Sequence, residues 1–351
     1  MSEGATFNFG RRAMVVVFLA FAFAYFFSAL VRAVTATLAP VFATELGLGA
    51  SHLGLLAGAY FFGFALMQLP LGSALDRFGP KRVLLVLLAL AATGCAAFAL
   101  AQGLPQLIAA RLLIGVGVSA CLMAPLTAYR LYFPADFQLR ANAWMLTAGS
   151  LGMVASTLPV QWLLPLLGWR GLFWAVAACF GLSMLLIAAV VPRDRPVAAG
   201  AAVPGSYRDV FTHPMFVRLL PLGLITYGGL VAMQALWIGP WLTQVTGRSP
   251  AQAAGGLLVV NLCMLFAFLG WGLAMPHLLR RGWHAERLIA AGWPLGVALM
   301  AALLWLGPGA GAAGWAAWCV ATSVISPSQP AIGQAFSAGL AGRALSAYNL
   351  L

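Results

Sequence analysis

Long apolar runs separated by short polar turns make up most of the chain. No residue between Arg12 and Arg32 carries a charge, and that length is enough for a helix to cross a bilayer. The apolar runs do not alternate with polar positions, so they predict helices rather than the strands of a barrel. The pattern predicts ten spans, at about 13–40, 52–75, 83–101, 105–129, 139–163, 169–192, 215–241, 250–274, 286–306 and 312–338.

The longest polar segment divides the chain into two parts. It covers 193–214, combines charged residues with glycine and proline, and is predicted to be a cytoplasmic linker. The expected domains are therefore an N-terminal six-helix bundle at 1–192 and a C-terminal bundle at 215–351.

The two parts repeat each other in sequence. A shift of 200 residues places Pro40 on Pro240, and a shift of 203 places Arg140 on Arg343. The first part continues for two more spans after Arg140, whereas the second ends soon after Arg343. We therefore expect an incomplete C-terminal bundle of four helices, without the last two of an expected twelve; a natural ten-helix form is the alternative.

Composition indicates that the chain lies in lipid, and the positions of its basic residues predict its orientation across the membrane. The chain is 63% hydrophobic and 7% charged, which is more apolar surface than a soluble domain of 351 residues can hide. Of its 19 lysines and arginines, only Arg170 and Arg248 fall on the predicted outer side, and Arg32 and Arg111 fall within spans. This bias predicts an all-α integral protein of the plasma membrane, such as a bacterial inner membrane, with a cytoplasmic N-terminus. It also explains the net charge of +12 without nucleic acid.

Sequence signals for catalysis, metals and cofactors are missing. The five cysteines lie in apolar runs without CxxC spacing, and the histidines fall at span ends or in loops. Neither an HExxH motif nor a pair of catalytic carboxylates occurs. We therefore predict no enzyme, no cofactor and no metal site.

The segment at 72–82 concentrates charge between two apolar runs. It is predicted to be a tight loop in which Asp76 caps the next helix or pairs with Arg77 or Arg82. Its characteristic positions are Gly72, Asp76, Arg77, Gly79, Lys81 and Arg82. This spacing resembles the loop between helices 2 and 3 of the major facilitator superfamily of secondary transporters.

The resemblance implies a two-bundle helical transporter in which the 72–82 segment holds the inner side closed. Arg111 and Gly115 look like the family's second motif, which implies a proton-relay or helix-orienting role in span four. Because Arg111 lies near the outer end of its span, snorkelling to the interface is the alternative. Span five lacks the adjacent Gly-Pro of drug antiporters, which argues against a drug/proton antiporter.

Arg32 is the residue that most directly suggests a substrate. It lies well inside span one, where a charge costs roughly 2.5 kcal/mol or more. No acidic residue falls within a predicted span, so an anionic substrate is the expected partner of its guanidinium. The alternative is a structural arginine that binds backbone carbonyls or snorkels to the surface.

Polar and aromatic residues at mid-span complete the predicted substrate site. They are Tyr25, Tyr227, Gln234, Trp237 and Asn261. Tyr25 lies two helical turns before the arginine and shares its face, and the three candidates in span seven are spaced to share another face. For each of them, a hydrogen bond between helices is the alternative.

These features predict a secondary active transporter that moves a small, carboxylate-like organic anion by alternating access, as a monomer in the bilayer. A drug or neutral-solute exporter, a transporter-like membrane sensor and an inactive truncated chain are the alternatives. A coupled proton is a further candidate partner, although no buried carboxylate in the sequence supports it.

Overall fold

Helices account for every regular element of the described chain. A computed structural model describes residues 10–133, 135–194, 206–283, 285–326, 328–336 and 338–350. The first part (10–194) contains α1 (Arg11–Leu46), α2 (Ala50–Phe78), α3 (Pro80–Leu100), α4 (Leu104–Val118), α5 (Ala120–Tyr132), α6 (Ala135–Ala155) and α7 (Leu158–Val190).

The second part (206–350) begins with the short helix α8 (Tyr207–Phe211), and residues 195–205 of the predicted linker lie outside the described chain. Its other α-helices are α9 (Pro214–Leu222), α10 (Gly228–Ala232), α11 (Ile238–Gln244), α12 (Pro250–Arg280), α13 (Ala285–Leu306), α14 (Gly311–Thr322), α15 (Ser328–Ala335) and α16 (Ala338–Leu350). Two π-helical segments, Gly223–Tyr227 and Met233–Trp237, interrupt span seven. Two 3₁₀ turns, Gly307–Ala310 and Ser323–Ile325, flank α14.

The membrane character predicted from the apolar runs is confirmed. Eight helical stretches of the described residues are long and apolar enough to cross a membrane. The number is eight rather than ten because neighbouring predicted spans join: the stretch Glu286–Ile325 contains all of span nine and about the first half of span ten. Similarly, α7 contains the end of span five and span six up to Val190, with a kink at Gly168, whose φ is 63°.

Span five is broken where the apolar pattern predicts one helix. Helix α6 ends at Ala155, and Thr157 has the non-helical angles φ −98° and ψ −117°. Pro159 has no N–H to donate back to α6, so carbonyl oxygens near the break are left for other partners. One of them, on Ser156, accepts a hydrogen bond of 2.7 Å from the Thr37 hydroxyl of α1.

The predicted loop at 72–82 is wrong. Helix α2 continues to Phe78 and α3 begins at Pro80, so Gly79 alone separates them. Its φ of 82° is a conformation that glycine adopts without a steric penalty. Proline at the next position suits the first turn of a helix, where no N–H partner is lost. Gly72 to Phe78 therefore form the end of α2.

The two parts meet along several pairs of helices. Helix α1 packs against α11 and the π-helical segment Met233–Trp237, α6 and α7 pack against α12, and α2 packs against α16. At the first of these contacts, a Cβ added to Gly239 would lie 2.5 Å from the carbonyl oxygen of Ala36. Glycine therefore lets span seven approach the middle of α1, beside the candidate site.

Candidate functional site

Arg32 lies in the middle of α1, between the two parts. Its side chain is half-buried, and its Nη2 atom is 3.9 Å from the sulfur of Met153 on α6. Its Nε atom is enclosed and has no hydrogen-bond partner. None of the described side chains pairs a carboxylate with this guanidinium, so its charge is not neutralised within the described residues.

Three tyrosines surround this charge. The phenol groups of Tyr25, Tyr60 and Tyr227 all interact electrostatically with Arg32. Tyr25 and Tyr60 are buried, on α1 and α2, whereas Tyr227 is half-buried at the end of a π-helical segment. Both parts of the molecule therefore contribute hydroxyl groups to the surroundings of one cation.

Glycines on neighbouring helices bring the first-part tyrosines into place. A Cβ at Gly149 would lie 2.5 Å from the ring of Tyr25, and one at Gly115 would lie 2.0 Å from the carbonyl oxygen of Tyr60. These glycines let α6 and α4 approach α1 and α2 closely. Sequence reasoning missed Tyr60, and the glycine that packs on its backbone was the available signal.

Two π-helical segments interrupt the stripe predicted for the three candidates in span seven. Tyr227 ends the first π-helical segment, whereas Gln234 and Trp237 lie in the second. A π-turn adds a residue to the helical turn, so spacings of seven and three no longer imply a shared face. Trp237 is 38% exposed, and its ring is 3.9 Å from the Cβ position of Gly54 on α2.

The buried amides of Gln234 and Asn261 form a connected pair. Nε2 of Gln234 donates to Oδ1 of Asn261 at 2.7 Å, and Nδ2 of Asn261 donates to the carbonyl oxygen of Met153 at 3.2 Å. The helix break in span five frees that carbonyl. Met153 therefore contacts both Arg32 and Asn261, which places the arginine and the amides in one region.

Arg111 is enclosed rather than snorkelling to the interface. It is 1% exposed, and it donates to the carbonyl oxygen of Val31 at 2.9 Å and to the hydroxyl of Thr35. Its guanidinium also lies 5.1 Å from the ring of Phe98. Because Val31 and Thr35 flank Arg32 on α1, Arg111 fixes the part of α1 that carries the candidate site.

The carboxylate of Asp194 caps the N-terminus of α3. It accepts from the backbone N–H groups of Lys81 at 3.1 Å and Arg82 at 2.8 Å. In return, Nζ of Lys81 donates to the carbonyl oxygens of Ala188, at 2.7 Å, and Val191, at the end of α7. Each helix thus supplies the cap of the other, which sequence reasoning missed because it placed Asp194 in the linker.

Gly79 makes this contact possible. A Cβ there would lie 2.3 Å from Cγ of Asp194, so any other residue would displace the carboxylate.

Arg77 and Arg82 have exposed side chains, and the guanidinium of Arg77 lies 5.2 Å from the ring of Phe78. The predicted capping or pairing by Asp76 concerns a side chain outside the described part of the structure.

The end of α2 lies where the first part meets the second. The hydroxyl of Tyr207 on α8 donates to the carbonyl oxygen of Leu69 at 2.7 Å. A Cβ at Gly72 would lie 3.4 Å from that hydroxyl and 3.8 Å from Oγ of Ser346 on α16. The 72–82 segment therefore combines a contact between the two parts, at Gly72, with a contact inside the first part, at Gly79.

The described residues contain no assembled metal site. Among the described residues, no group of three or more histidine, cysteine, aspartate or glutamate side chains could hold a metal ion. All five cysteines are free thiols.

Comparison with protein families gives one match over most of the chain. The family described as the Major Facilitator Superfamily matches residues 21–351. Among solved structures, a bacterial homolog of the human lysosomal transporter Spinster, in an inward-facing and unoccupied conformation, superimposes with a TM-score of 0.73. It is 18% identical, and the match covers 97% of this chain and 80% of that one. A D-xylose-proton symporter gives a TM-score of 0.69 at 16% identity, over 96% and 86%. At these identities, the two similarities show the fold alone.

Three relatives whose names state a function are similar in sequence. A chloramphenicol resistance protein of Streptomyces lividans is 33% identical over 48% of this chain and 43% of its own length. The 4-hydroxybenzoate transporter PcaK of Acinetobacter baylyi is 27% identical over 67% and 60%. A probable sulfoacetate transporter, SauU, of Cupriavidus necator is 24% identical over 81% and 69%. The chain thus spans between about two fifths and two thirds of the length of these relatives.

Proposed function

Because the chain belongs to the Major Facilitator Superfamily, we propose that it is a secondary active transporter that moves a small, carboxylate-like organic anion by alternating access. Members of this family are carriers, and the chain is an integral membrane protein rather than an enzyme. The observation that carries the proposal is the un-neutralised guanidinium of Arg32 between the two parts of the molecule.

The energetics of this charge favour an anionic ligand. A cation near the middle of a bilayer costs roughly 2.5–3.5 kcal/mol on insertion scales, and an arginine fork recovers such a cost best from a carboxylate or a similar planar anion. Nε is enclosed without a hydrogen-bond partner in both arginines. Both terminal nitrogens of Arg111 donate to oxygen atoms of α1, whereas Arg32 contacts the sulfur of Met153 and the phenol of Tyr25. An organic anion would pair with the terminal nitrogens of Arg32 and neutralise its charge.

The names of two relatives support the same class of substrate. PcaK is named for 4-hydroxybenzoate and SauU for sulfoacetate, and both compounds are organic anions at neutral pH. We extend this class, though not either compound, to the present chain.

The positions of the candidate ligand groups support alternating access. Arg32, Tyr25 and Tyr60 belong to the first part, and Tyr227 belongs to the second. An anion held between them would draw the two parts together, and its release would need them to separate on one side. With the N-terminus in the cytoplasm, as the distribution of basic residues favours, the contacts of Leu69 and Gly72 with the second part lie on the inner side.

Drug export is the second candidate function. It is favoured by the 33% identity with the chloramphenicol resistance protein, although that match covers 43% of the relative. A neutral drug would not compensate the charge of Arg32, so the two candidates predict different ligands.

Ligand-induced thermal stabilisation tests the proposal. The purified chain and its Arg32→Gln variant would be melted with benzoate, 4-hydroxybenzoate, sulfoacetate, phosphate or chloramphenicol. A bound ligand raises the melting temperature by mass action. We expect a rise with a carboxylate that is lost in Arg32→Gln and kept in Arg12→Gln, a control that changes an exposed arginine of the same helix. A rise with chloramphenicol alone would replace the anion proposal with drug export.

A further inference from the structure

The amide pair beside Arg32 has a fixed orientation. The carbonyl oxygen of Met153 can only accept a hydrogen bond, so Asn261 must turn its NH₂ group toward it. Asn261 therefore presents Oδ1 to Gln234, and Gln234 must turn its own NH₂ group toward Asn261. A backbone acceptor at one end thus determines both amide orientations, and the oxygen of Gln234 is left at the other end.

This remaining oxygen is an acceptor without a donor. Within the described residues, Oε1 of Gln234 accepts no hydrogen bond, yet it is not among the unpartnered atoms that the protein encloses completely. Gln68 on α2 provides the contrast, because its Oε1 is also unpartnered but is completely enclosed by the protein. The Gln234 oxygen is therefore not completely enclosed, although the residue is only 7% exposed.

The acceptor and the cation share one neighbour. Met153 lies 3.9 Å from Nη2 of Arg32 through its sulfur and 3.2 Å from Asn261 through its carbonyl oxygen. Arg32 belongs to the first part, whereas Gln234 and Asn261 belong to the second. A ligand between the two parts would thus meet a cation on one side and a neutral acceptor on the other.

We propose that the substrate is a hydroxylated carboxylate, whose anionic group binds Arg32 and whose hydroxyl donates a hydrogen bond to Oε1 of Gln234. This inference rests on the proposed function, since it assumes an anion at Arg32. Burying the acceptor against a ligand without a donor would leave it unsatisfied, which selects against the non-hydroxylated analogue.

Matched pairs of ligands test the inference on the full purified chain. Dissociation constants would be measured for 4-hydroxybenzoate and benzoate, 4-hydroxybutyrate and butyrate, and lactate and propionate. In the unaltered protein, we expect at least one hydroxylated member to bind about threefold to tenfold more tightly than its partner. The pairs differ in the distance between carboxylate and hydroxyl, so the preferred pair also reports the span of the site.

Two glutamine variants locate the preference. Gln234→Met keeps the side-chain length without the amide, and we expect it to bind both members of the preferred pair with the affinity of the non-hydroxylated one. Gln68→Leu is the control, because it removes a buried glutamine whose oxygen is completely enclosed by the protein. It should keep the preference for the hydroxylated member.

The outcomes separate this inference from the proposed function. If the unaltered protein binds the members of every pair equally, or if the preference persists in Gln234→Met, the hydroxyl contact is wrong while Arg32-dependent carboxylate binding stands. If no carboxylate binds the unaltered protein, the proposal of an organic-anion substrate and this inference both fall. The ligand comparison in the unaltered protein remains decisive even if Gln234→Met folds poorly.

Discussion

Arg32 and Arg111 are arginines of the same membrane-embedded part, but their surroundings differ. Arg111 is 1% exposed, and both of its terminal nitrogens donate to α1. Arg32 is half-buried and contacts the sulfur of Met153 and the phenol of Tyr25, and Nε of each arginine is enclosed without a partner. The α1 oxygen atoms at both terminal nitrogens of Arg111 distinguish the structural cation from the candidate ligand-binding one.

The two environments are physically connected. Arg111 donates hydrogen bonds to Val31 and Thr35, which flank Arg32 on α1. Arg111 therefore holds the helix that carries Arg32. Variants of the two arginines should therefore affect different quantities: Arg111 the stability, and Arg32 the affinity for ligand.

The largest effect is expected for Arg111→Ala. The change removes two buried hydrogen bonds and leaves a cavity beside Phe98, so the free energy of unfolding should fall by about 3 kcal/mol. Thermal unfolding of the purified protein measures it. Arg111→Lys, which keeps the charge but not the planar fork, should lose less. An unchanged melting temperature in Arg111→Ala would show that the hydrogen bonds to α1 contribute little.

Arg32→Gln should reverse this pattern. Loss of the charge-assisted contacts is expected to weaken carboxylate binding about 100-fold, equivalent to about 2.7 kcal/mol. The ligand-free melting temperature should stay the same or rise, since an unpaired buried charge is removed. Titration calorimetry and thermal unfolding together check both parts. Equal affinity with a lower melting temperature would make Arg32 a structural residue like Arg111.

Asp194→Asn extends the comparison to the caps between α3 and α7. Asparagine keeps the shape but loses the negative charge at the start of α3, so we expect a loss of about 1 kcal/mol in stability with ligand affinity unchanged. Asp209→Asn changes an acid that caps only the short helix α8, and it should have a smaller effect on the melting temperature. Equal melting temperatures for the two variants would contradict the mutual capping of α3 and α7.

Tyr207→Phe should have the smallest effect, on conformation rather than stability. It removes one hydrogen bond between α8 and α2, worth about 1 kcal/mol, which shifts a two-state equilibrium about fivefold toward separation of α2 and α16. Distances between spin labels on these two helices measure the shift. Phe211→Leu, a change on α8 that leaves this hydroxyl in place, is the control. Identical distance distributions in Tyr207→Phe and the unaltered protein would remove the contact from the mechanism.

Several sequence predictions hold for physical reasons. Spans are set by the length of apolar runs, so the all-α membrane character is confirmed, and the joining of neighbouring predicted spans accounts for the difference between eight stretches and ten. The resemblance based on Gly72 to Arg82 is confirmed by the family match over residues 21–351. The substrate role of Arg32 remains a prediction.

Predictions from local sequence failed where a helix continues or breaks for reasons that its own apolar pattern does not show. The 72–82 segment is largely the end of α2, because one glycine suffices to separate α2 from α3. The stripe predicted in span seven depended on regular α-helical spacing, which two π-helical segments interrupt. Asp194 was assigned to the linker because its partners, the N–H groups of Lys81 and Arg82, are more than 100 residues away.

The sequence by itself determined the solvent, the helices, the family and the two buried cations, because hydrophobicity and charge act residue by residue against a lipid environment. Only the tertiary structure decided which cation is satisfied, since the acceptors of Arg111 lie on another helix, and a hydrogen bond depends on distances that spacing along one helix does not encode. The same holds for Gln234, whose free oxygen is defined by a carbonyl that a helix break on α6 makes available.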